Sequence, residues 1–182
     1  MSERLFLAVA LDEQLRHGLA AFLQAQADRG LPGRPVHPDA WHLTLRFLGW
    51  STEEQRDRVL GFVAERLDSA PFTLGFGGLG AFPNETRATV LWLGVGGGAA
   101  ELAVLAALAE AAAVGAGFPA EERPFHPHLT LSRIRPPQDV HRLVAGVADF
   151  PLIQEVRAVT MFRSHLSRSG ARYEVVDEVA LR

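Results

Sequence analysis

Short apolar runs and longer mixed stretches succeed one another along the chain. The short runs predict β-strands at 3–11, 41–49, 72–76, 88–95, 128–132, 155–164 and 172–181. The longer stretches predict helices at 12–29, 51–67, 99–114 and 139–148. Because the helices are interleaved with strands that need not run parallel, the pattern predicts an α+β fold.

Local signals mark where several of these elements begin and turn. Asp12 is predicted to cap the first helix, and residues 51–54 (Ser-Thr-Glu-Glu) resemble a capping box for the second. Residues 83–85 (Pro-Asn-Glu) predict a turn between strands, and Ser169-Gly170 predict another.

The bulk properties favour one compact unit. The chain has 182 residues, of which 48% are hydrophobic, so it can bury a substantial core. No low-complexity linker divides it, and the break nearest the middle is the segment 94–100. We therefore expect one domain, or two tightly joined lobes.

The absence of cysteine limits the kinds of site that the chain can form and bears on the compartment in which we expect it. It excludes disulfides, thiolate zinc sites and a cysteine nucleophile. The first apolar run, 5–11, is short and ends in Asp12-Glu13, which predicts neither a signal peptide nor a membrane helix. We expect a cytoplasmic protein that does not bind membranes.

The charge is unevenly distributed. The net charge of −3 argues against a surface that coats duplex nucleic acid. Residues 123–172, however, carry eight arginines and three acidic residues. This basic stretch favours a polyanionic substrate. All eighteen basic residues are arginine, which suits phosphate binding but is also expected from GC-rich codon usage.

One motif occurs twice, at 41–49 (WHLTLRFLG) and 125–133 (FHPHLTLSR), and both copies contain His-Leu-Thr-Leu. Side chains alternate between the two faces of a strand. The faces predicted for the first copy are a polar one with His42, Thr44 and Arg46 and an apolar one with Leu43, Leu45 and Phe47. In the second copy, His128 and Thr130 share the polar face. A single His-x-Thr is typical of a half-buried edge strand, whereas the duplication indicates a shared function.

Paired histidines suit the cleavage of a phosphodiester. In-line displacement needs a base for the attacking hydroxyl or water and an acid for the leaving oxygen on the opposite side of phosphorus. Histidine can fill either role near neutral pH. A threonine hydroxyl beside each histidine could stabilise the nonbridging oxygens. No metal or other cofactor is required.

These residues resemble the 2H phosphoesterase superfamily, which is defined by two His-x-Thr-x motifs. The closer resemblance is to its RNA 2',3'-cyclic phosphodiesterases, formerly named 2'-5' RNA ligases. Further similar segments are LGAFPN (79–84), VLWLGV (90–95) and SHLSRSGARY (164–173). Ala171 stands where that family usually has proline.

The resemblance implies a bilobal α+β fold, in which two pseudo-symmetric lobes of antiparallel sheet with helices surround a central cleft. Residues 1–182 would form one domain of two intertwined lobes. It also implies metal-free hydrolysis of terminal RNA 2',3'-cyclic phosphates to 2'-phosphates, and it leaves reverse 2'-5' ligation open. Separately, we expect a monomer. The substrates would be RNA ends or small cyclic nucleotides.

Residue roles also follow from the resemblance. His42 would be the proton donor and His128 the proton acceptor, an assignment that the residues alone leave open. Thr44 and Thr130 fall on phosphate-contacting threonines. Arg133 falls on a phosphate-binding arginine, although strict alternation along the strand puts it on the face opposite His128.

Other candidates have competing interpretations. Arg46 is a further candidate for substrate binding, since it shares the predicted face of His42. Phe125, Trp92 and Tyr173 could stack a terminal base, although such residues are more often part of the core. His126 and His128 form a His-x-His pair that could hold a metal, but no carboxylate lies at ligand spacing. We therefore expect no metal site.

Two other functions remain open. One is a phosphodiesterase that acts on small cyclic nucleotides. The other is a non-catalytic RNA-binding module, which should display exposed aromatic residues on its strands and would not explain the duplicated His-x-Thr.

Overall fold

The computed structural model describes residues 2–26, 30–147, 150–167 and 170–182. Its centre is a nine-stranded sheet, in which every recorded strand pair is antiparallel. The strands are β1 (Glu3–Ala10), β2 (Arg34–Pro35), β3 (His42–Ser51), β4 (Phe72–Phe82), β5 (Ala88–Gly97), β6 (His128–Gln138), β7 (Ile153–Val156), β8 (Ala158–Ser167) and β9 (Gly170–Ala180). The described residues also form four α-helices, α1 (Glu13–Gln26), α2 (Glu53–Arg66), α3 (Ala99–Gly115) and α4 (His141–Gly146), and two short 3-10 helices at Pro38–Ala40 and Glu85–Arg87.

The order of the strands has an internal symmetry. It runs β7-β4-β5-β6-β3-β1-β8-β9, with β2 paired to β6 outside this path. The central pair β6 and β3 is flanked by β5 and β1, then by β4 and β8, then by β7 and β9. The two strands that contain the repeated motif are therefore neighbours at the centre of a pseudo-twofold arrangement. The predicted α+β class with two pseudo-symmetric lobes of antiparallel sheet is confirmed.

The helices tie the two halves of the sheet together. Phe22 of α1 contacts Phe150, which in turn contacts Phe76 of β4. In contrast, α3 packs against β3 and α2 in the other half. Each half is thus covered by a helix that lies far from its strands in sequence. This exchange supports one domain of two intertwined lobes over residues 1–182, which stays a prediction.

The two faces of the sheet differ in what covers them. Leucines of the central strands, including Leu43 and Leu129, join the helices in one large buried core. The opposite face, called the open face below, carries His42 and His128. No helix in the described ranges is long and apolar enough to cross a membrane.

The helix starts agree with the local signals, with one correction. The Asp12 carboxylate accepts a hydrogen bond from the Leu15 backbone N–H at 2.6 Å, as expected of a cap. The second helix is capped by Thr52 rather than Ser51, and the capping box is completed by Gln55. The predicted end of the first helix at Arg29 and the turn residue Ser169 lie outside the described residues.

Several strand boundaries differ from the prediction. The run predicted as one strand at 155–164 is two strands, β7 and β8, which pair with β4 and β1 respectively. Strand β4 continues past residue 76 through Gly77, Gly78 and Gly80, because its backbone pairs with β5. Strand β6 continues to Gln138, and the short strand β2 was not predicted.

Each motif strand contains a β-bulge directly after its His-x-Thr. In β3, Thr44 pairs with Ala8 and Arg46 with Leu7, which leaves Leu45 without its own partner. In β6, Thr130 pairs with Trp92 and Ser132 with Leu91, which leaves Leu131 as the extra residue. A bulge places one additional residue in the strand and reverses the alternation of faces beyond it.

Candidate active site

The imidazole of His42 is fixed at the start of β3. Its Nδ1 lies 2.9 Å from the carbonyl oxygen of Ala40. A carbonyl can only accept, so Nδ1 carries a proton and Nε2 is the nitrogen left for a substrate. The ring contacts Phe6 at 4.7 Å between centroids and forms a T-shaped contact with Tyr173 at 5.0 Å. These contacts orient the imidazole.

The imidazole of His128 is fixed in the same way at the start of β6. Its Nδ1 lies 2.7 Å from the carbonyl oxygen of His126, again two residues earlier in the chain. Phe82 and this ring form a T-shaped contact at 5.0 Å between centroids, and the ring of Trp92 lies at 6.2 Å. Both histidines therefore present Nε2 from an orientation set by the backbone.

Strand pairing brings the two motifs together. Leu43 is directly opposite Leu129 in the antiparallel pair of β3 and β6. This register sets His42 across from Thr130 and Thr44 across from His128, all on the open face. Within the described part of the chain, neither threonine hydroxyl has a hydrogen-bond partner, so both are available to a ligand.

Arg133 lies on the open face with the histidines, because the bulge at Leu131 reverses the alternation. Strict alternation therefore does not hold here, and Arg133 reaches this face from within the strand, not from beyond its end. Its side chain is exposed, whereas the next residue, Ile134, is buried. No described carboxylate pairs with the guanidinium.

Burial and nearby positive charge lower the pKa of both histidines. Desolvation by burial is the main cause that lowers the pKa of His42 from 6.5 to about 4, and the charges of Arg133 and His128 lower it further. Burial likewise lowers the pKa of His128, with His126 and Arg133 as further causes. Arg133 thus adds positive charge to the surroundings of both imidazoles.

Arg46 does not share the face of His42, so that prediction is wrong. The bulge at Leu45 turns its side chain toward α3, where it forms an ion pair with Glu110. It also donates to the backbone carbonyls of Phe47 and Pro119. These contacts connect the first motif to the segment that leads to the second, and they favour a structural role over the predicted substrate contact.

The aromatic candidates separate into two groups. Phe125 is half-buried and packs against the main core, so its predicted stacking role gains no support. Trp92 and Tyr173 lie beside His128 and His42. The sequence interpretation missed Phe47, which the first bulge turns to the open face against Phe6, at 5.6 Å between centroids. Strict alternation puts Phe47 on the apolar face, so the sequence alone carries no signal for this position.

The two rings of the His-x-His pair are close in space. The rings of His126 and His128 are 6.1 Å apart, and the Nδ1 of His128 is occupied by the carbonyl of His126. Among the described residues, no group of three histidine, aspartate, glutamate or cysteine side chains could hold a metal ion.

Comparison with known proteins agrees with this geometry. Residues 9–168 match the model of the 2'-5' RNA ligase superfamily. The RNA 2',3'-cyclic phosphodiesterase of Aeropyrum pernix is 35% identical over 168 residues, covering 88% of this chain and 93% of the relative. That of Escherichia coli (strain K12) is 32% identical over 184 residues, covering 98% and 97%. The crystal structure of E. coli LigT complexed with 3'-AMP superimposes with a TM-score of 0.84 at 28% identity, covering 100% and 99% of the two chains.

The fold and the paired His-x-Thr strands define a two-histidine phosphoesterase. The chain belongs to the 2'-5' RNA ligase superfamily, and the family resemblance found in the sequence is confirmed.

Proposed function

We propose that this protein hydrolyses terminal RNA 2',3'-cyclic phosphates to 2'-phosphomonoesters. The observation that carries the proposal is the pair of imidazoles on adjacent strands, each with Nδ1 held by a backbone carbonyl and Nε2 left for the substrate. Relatives named RNA 2',3'-cyclic phosphodiesterase, at 32% and 35% identity over most of the chain, support this substrate class.

In the proposed reaction a water molecule attacks phosphorus opposite the 3'-oxygen. His128 accepts the proton of the water through Nε2 as the new P–O bond forms. The bond between phosphorus and O3' breaks, and His42 donates its Nε2 proton to O3'. The products are a 2'-phosphate and a free 3'-hydroxyl, and the two histidines have exchanged protonation states.

The surrounding groups support the same reaction. The hydroxyls of Thr44 and Thr130 are suited to donate to the nonbridging oxygens, where negative charge increases in the transition state. Arg133 is suited to bind the phosphate before the reaction begins. A bound phosphodiester anion also favours the charged imidazole that the donor role requires, because an opposite charge nearby raises a histidine pKa.

The same site could also catalyse the reverse reaction, ligation. If the 5'-hydroxyl of a second RNA replaces water as the nucleophile, the same proton transfers join the two strands through a 2'-5' linkage. We propose that this occurs only at high concentrations of 5'-hydroxyl ends, since water is the more abundant nucleophile. We further propose that the protein acts as a monomer in the cytoplasm, consistent with its cysteine-free sequence.

The proposal is tested with a defined oligoribonucleotide that ends in a 2',3'-cyclic phosphate, with EDTA present. We expect conversion to the 2'-phosphate at a rate that chelation does not change. Adenosine 2',3'-cyclic phosphate, tested in parallel, would support the small-nucleotide alternative if it is the better substrate by kcat/KM. Binding of the oligonucleotide without any cleavage would instead indicate an RNA-binding module.

A further inference from the structure

The end of β3 carries a large exposed aromatic ring. Trp50 is 69% exposed, the highest value among the exposed large hydrophobic side chains in the described ranges. In the register of β1 and β3 it lies opposite Arg4, whereas the next pair along joins Gly49 to the buried Leu5. Residues directly opposite each other in an antiparallel pair share a face. Because side chains alternate along β1, Arg4 and Trp50 therefore lie side by side on the face opposite Leu5, which is the open face.

Arg4 offers a positive charge next to this ring. In the described part of the chain, its half-buried side chain has neither a hydrogen bond nor an ion pair. The adjacent Glu3 points to the other face, where it pairs with Arg56 and Arg163. A partly desolvated guanidinium without a counter-ion favours an anion, and its five N–H donors fit the oxygens of a phosphate. Arg4 is therefore suited to bind a phosphate beside the ring of Trp50.

The pair of Arg4 and Trp50 is continuous with the candidate active site. Phe6 lies two residues further along β1 on the same face, and its ring contacts His42 at 4.7 Å between centroids. Two residues of a strand span about 7 Å. Consecutive phosphates of an RNA strand are joined through a single ribose. A strand whose terminal phosphate lies at the histidines can therefore bring its next phosphate to Arg4.

We infer that Arg4 and Trp50 bind the nucleotide that precedes the terminal one. This rests on the proposed function. Arg4 binds the phosphate that joins the two nucleotides, and Trp50 stacks on the base of the preceding one. Both contacts tolerate any sequence, because every nucleotide has a phosphate and every base has a π-face. A cyclic mononucleotide offers neither group, so the pair favours RNA ends over small cyclic nucleotides as substrates.

The test measures kcat/KM on three substrates that end in a 2',3'-cyclic phosphate: adenosine 2',3'-cyclic phosphate, the same nucleotide with a 5'-phosphate, and the dinucleotide ApA with the cyclic end. For the wild type, kcat/KM should increase from the first substrate to the third. Arg4→Gln should lower it by roughly 10- to 100-fold on the two substrates that contain the extra phosphate, the range for a charge-assisted hydrogen bond. Trp50→Leu should lower it by roughly 5- to 100-fold on the dinucleotide alone, the range for one base stack.

Controls separate these contacts from folding effects and from the proposed function. Trp50→Phe should stay within a few-fold of the wild type on the dinucleotide. Val104→Ala removes a similarly exposed side chain from α3, on the other side of the sheet, and should change kcat/KM on none of the substrates. Equal losses on all three substrates, or no loss on the dinucleotide, in folded Arg4→Gln or Trp50→Leu would overturn the inference. So would equal kcat/KM of the wild type on all three substrates, a result that needs no variant. A wild type that cleaves none of them would remove the proposed function and this inference with it.

Discussion

The strand that carries His42 and the strand that carries His128 share a backbone plan but differ in chemistry. Both begin with a histidine whose Nδ1 is held by the carbonyl two residues earlier, and both have a bulge at the leucine after the threonine. The first residue past the bulge differs, since Arg46 forms an ion pair with Glu110 whereas Ser132 is buried and donates to the Pro32 carbonyl.

The shared features and the differences between the two strands bear on different aspects of the proposed reaction. In the proposed mechanism, the two equivalent imidazoles would supply the geometry for in-line displacement, which needs one proton carrier on each side of phosphorus. Equivalence alone cannot decide which imidazole gives the proton. Phe47 at one end and Arg133 at the other break the symmetry of the site, because one is an aromatic ring and the other a cation. In the proposed reaction, the pseudo-symmetric scaffold would therefore set the geometry of the two imidazoles, and the differences between the strands would decide their roles.

The largest effect should follow from removing either histidine. His42→Ala and His128→Ala should each lower kcat by roughly 10²- to 10⁴-fold, the range for loss of a positioned proton carrier. The measurement is steady-state hydrolysis of the cyclic-phosphate oligonucleotide, with folding checked by circular dichroism. A folded variant of either kind with near-normal turnover would remove the two-histidine mechanism.

The threonines should behave alike, because they occupy equivalent positions. Thr44→Val and Thr130→Val should each raise the barrier by about 2–4 kcal/mol, mainly in kcat, since the hydroxyls act on charge that develops in the transition state. Valine keeps the branched shape, so the strand should be preserved. Unchanged kcat in both variants would show that the hydroxyls do not contact the reacting phosphate.

Arg133 should differ from the threonines in its kinetic signature. Its charge-assisted hydrogen bonds to the phosphate form before the reaction, so Arg133→Ala should raise KM as well as lower kcat. The combined loss in kcat/KM should be about 1.5–3 kcal/mol. Arg135→Ala serves as the control, since that arginine lies two residues further along the same strand. A loss confined to kcat would contradict ground-state binding by Arg133.

The smallest effect concerns stability and pH. The pKa of His42 is lowered from 6.5 to about 4 by burial, so the unfolded state binds its proton more tightly. Stability is therefore fully present above pH 6.5 and decreases as the pH falls toward 4. Between pH 7 and pH 4.5 this histidine should remove about 2 kcal/mol of the free energy of unfolding. Urea unfolding of wild type and His42→Gln at both pH values measures it, and an identical pH dependence of the two proteins would contradict the lowered pKa.

The sequence predicted the motifs better than the faces of the residues that follow them. The duplicated His-Leu-Thr-Leu identified both central strands, because apolar alternation and chemical type agree there. The faces of Arg46 and Arg133 could not be predicted, since a bulge depends on how β1 and β5 pair with these strands. The sequence also predicts too early an end for β4, because glycine has a low strand propensity. Pairing with β5 overrides that propensity and continues the strand. The sequence predicts β7 and β8 as one strand, because they are almost continuous along the chain. Only their different partners, β4 and β1, distinguish them.

The directional assignment is tested most directly with a substrate whose 3'-oxygen is replaced by sulfur. Its leaving thiolate has a conjugate acid of pKa about 8.5 and does not need a protonated donor. On this substrate His42→Ala should retain turnover within about 10-fold of the wild type, whereas His128→Ala should keep its loss of roughly 10²- to 10⁴-fold. Equal losses in both variants, or recovery of His128→Ala alone, would contradict the assignment of His42 as the proton donor.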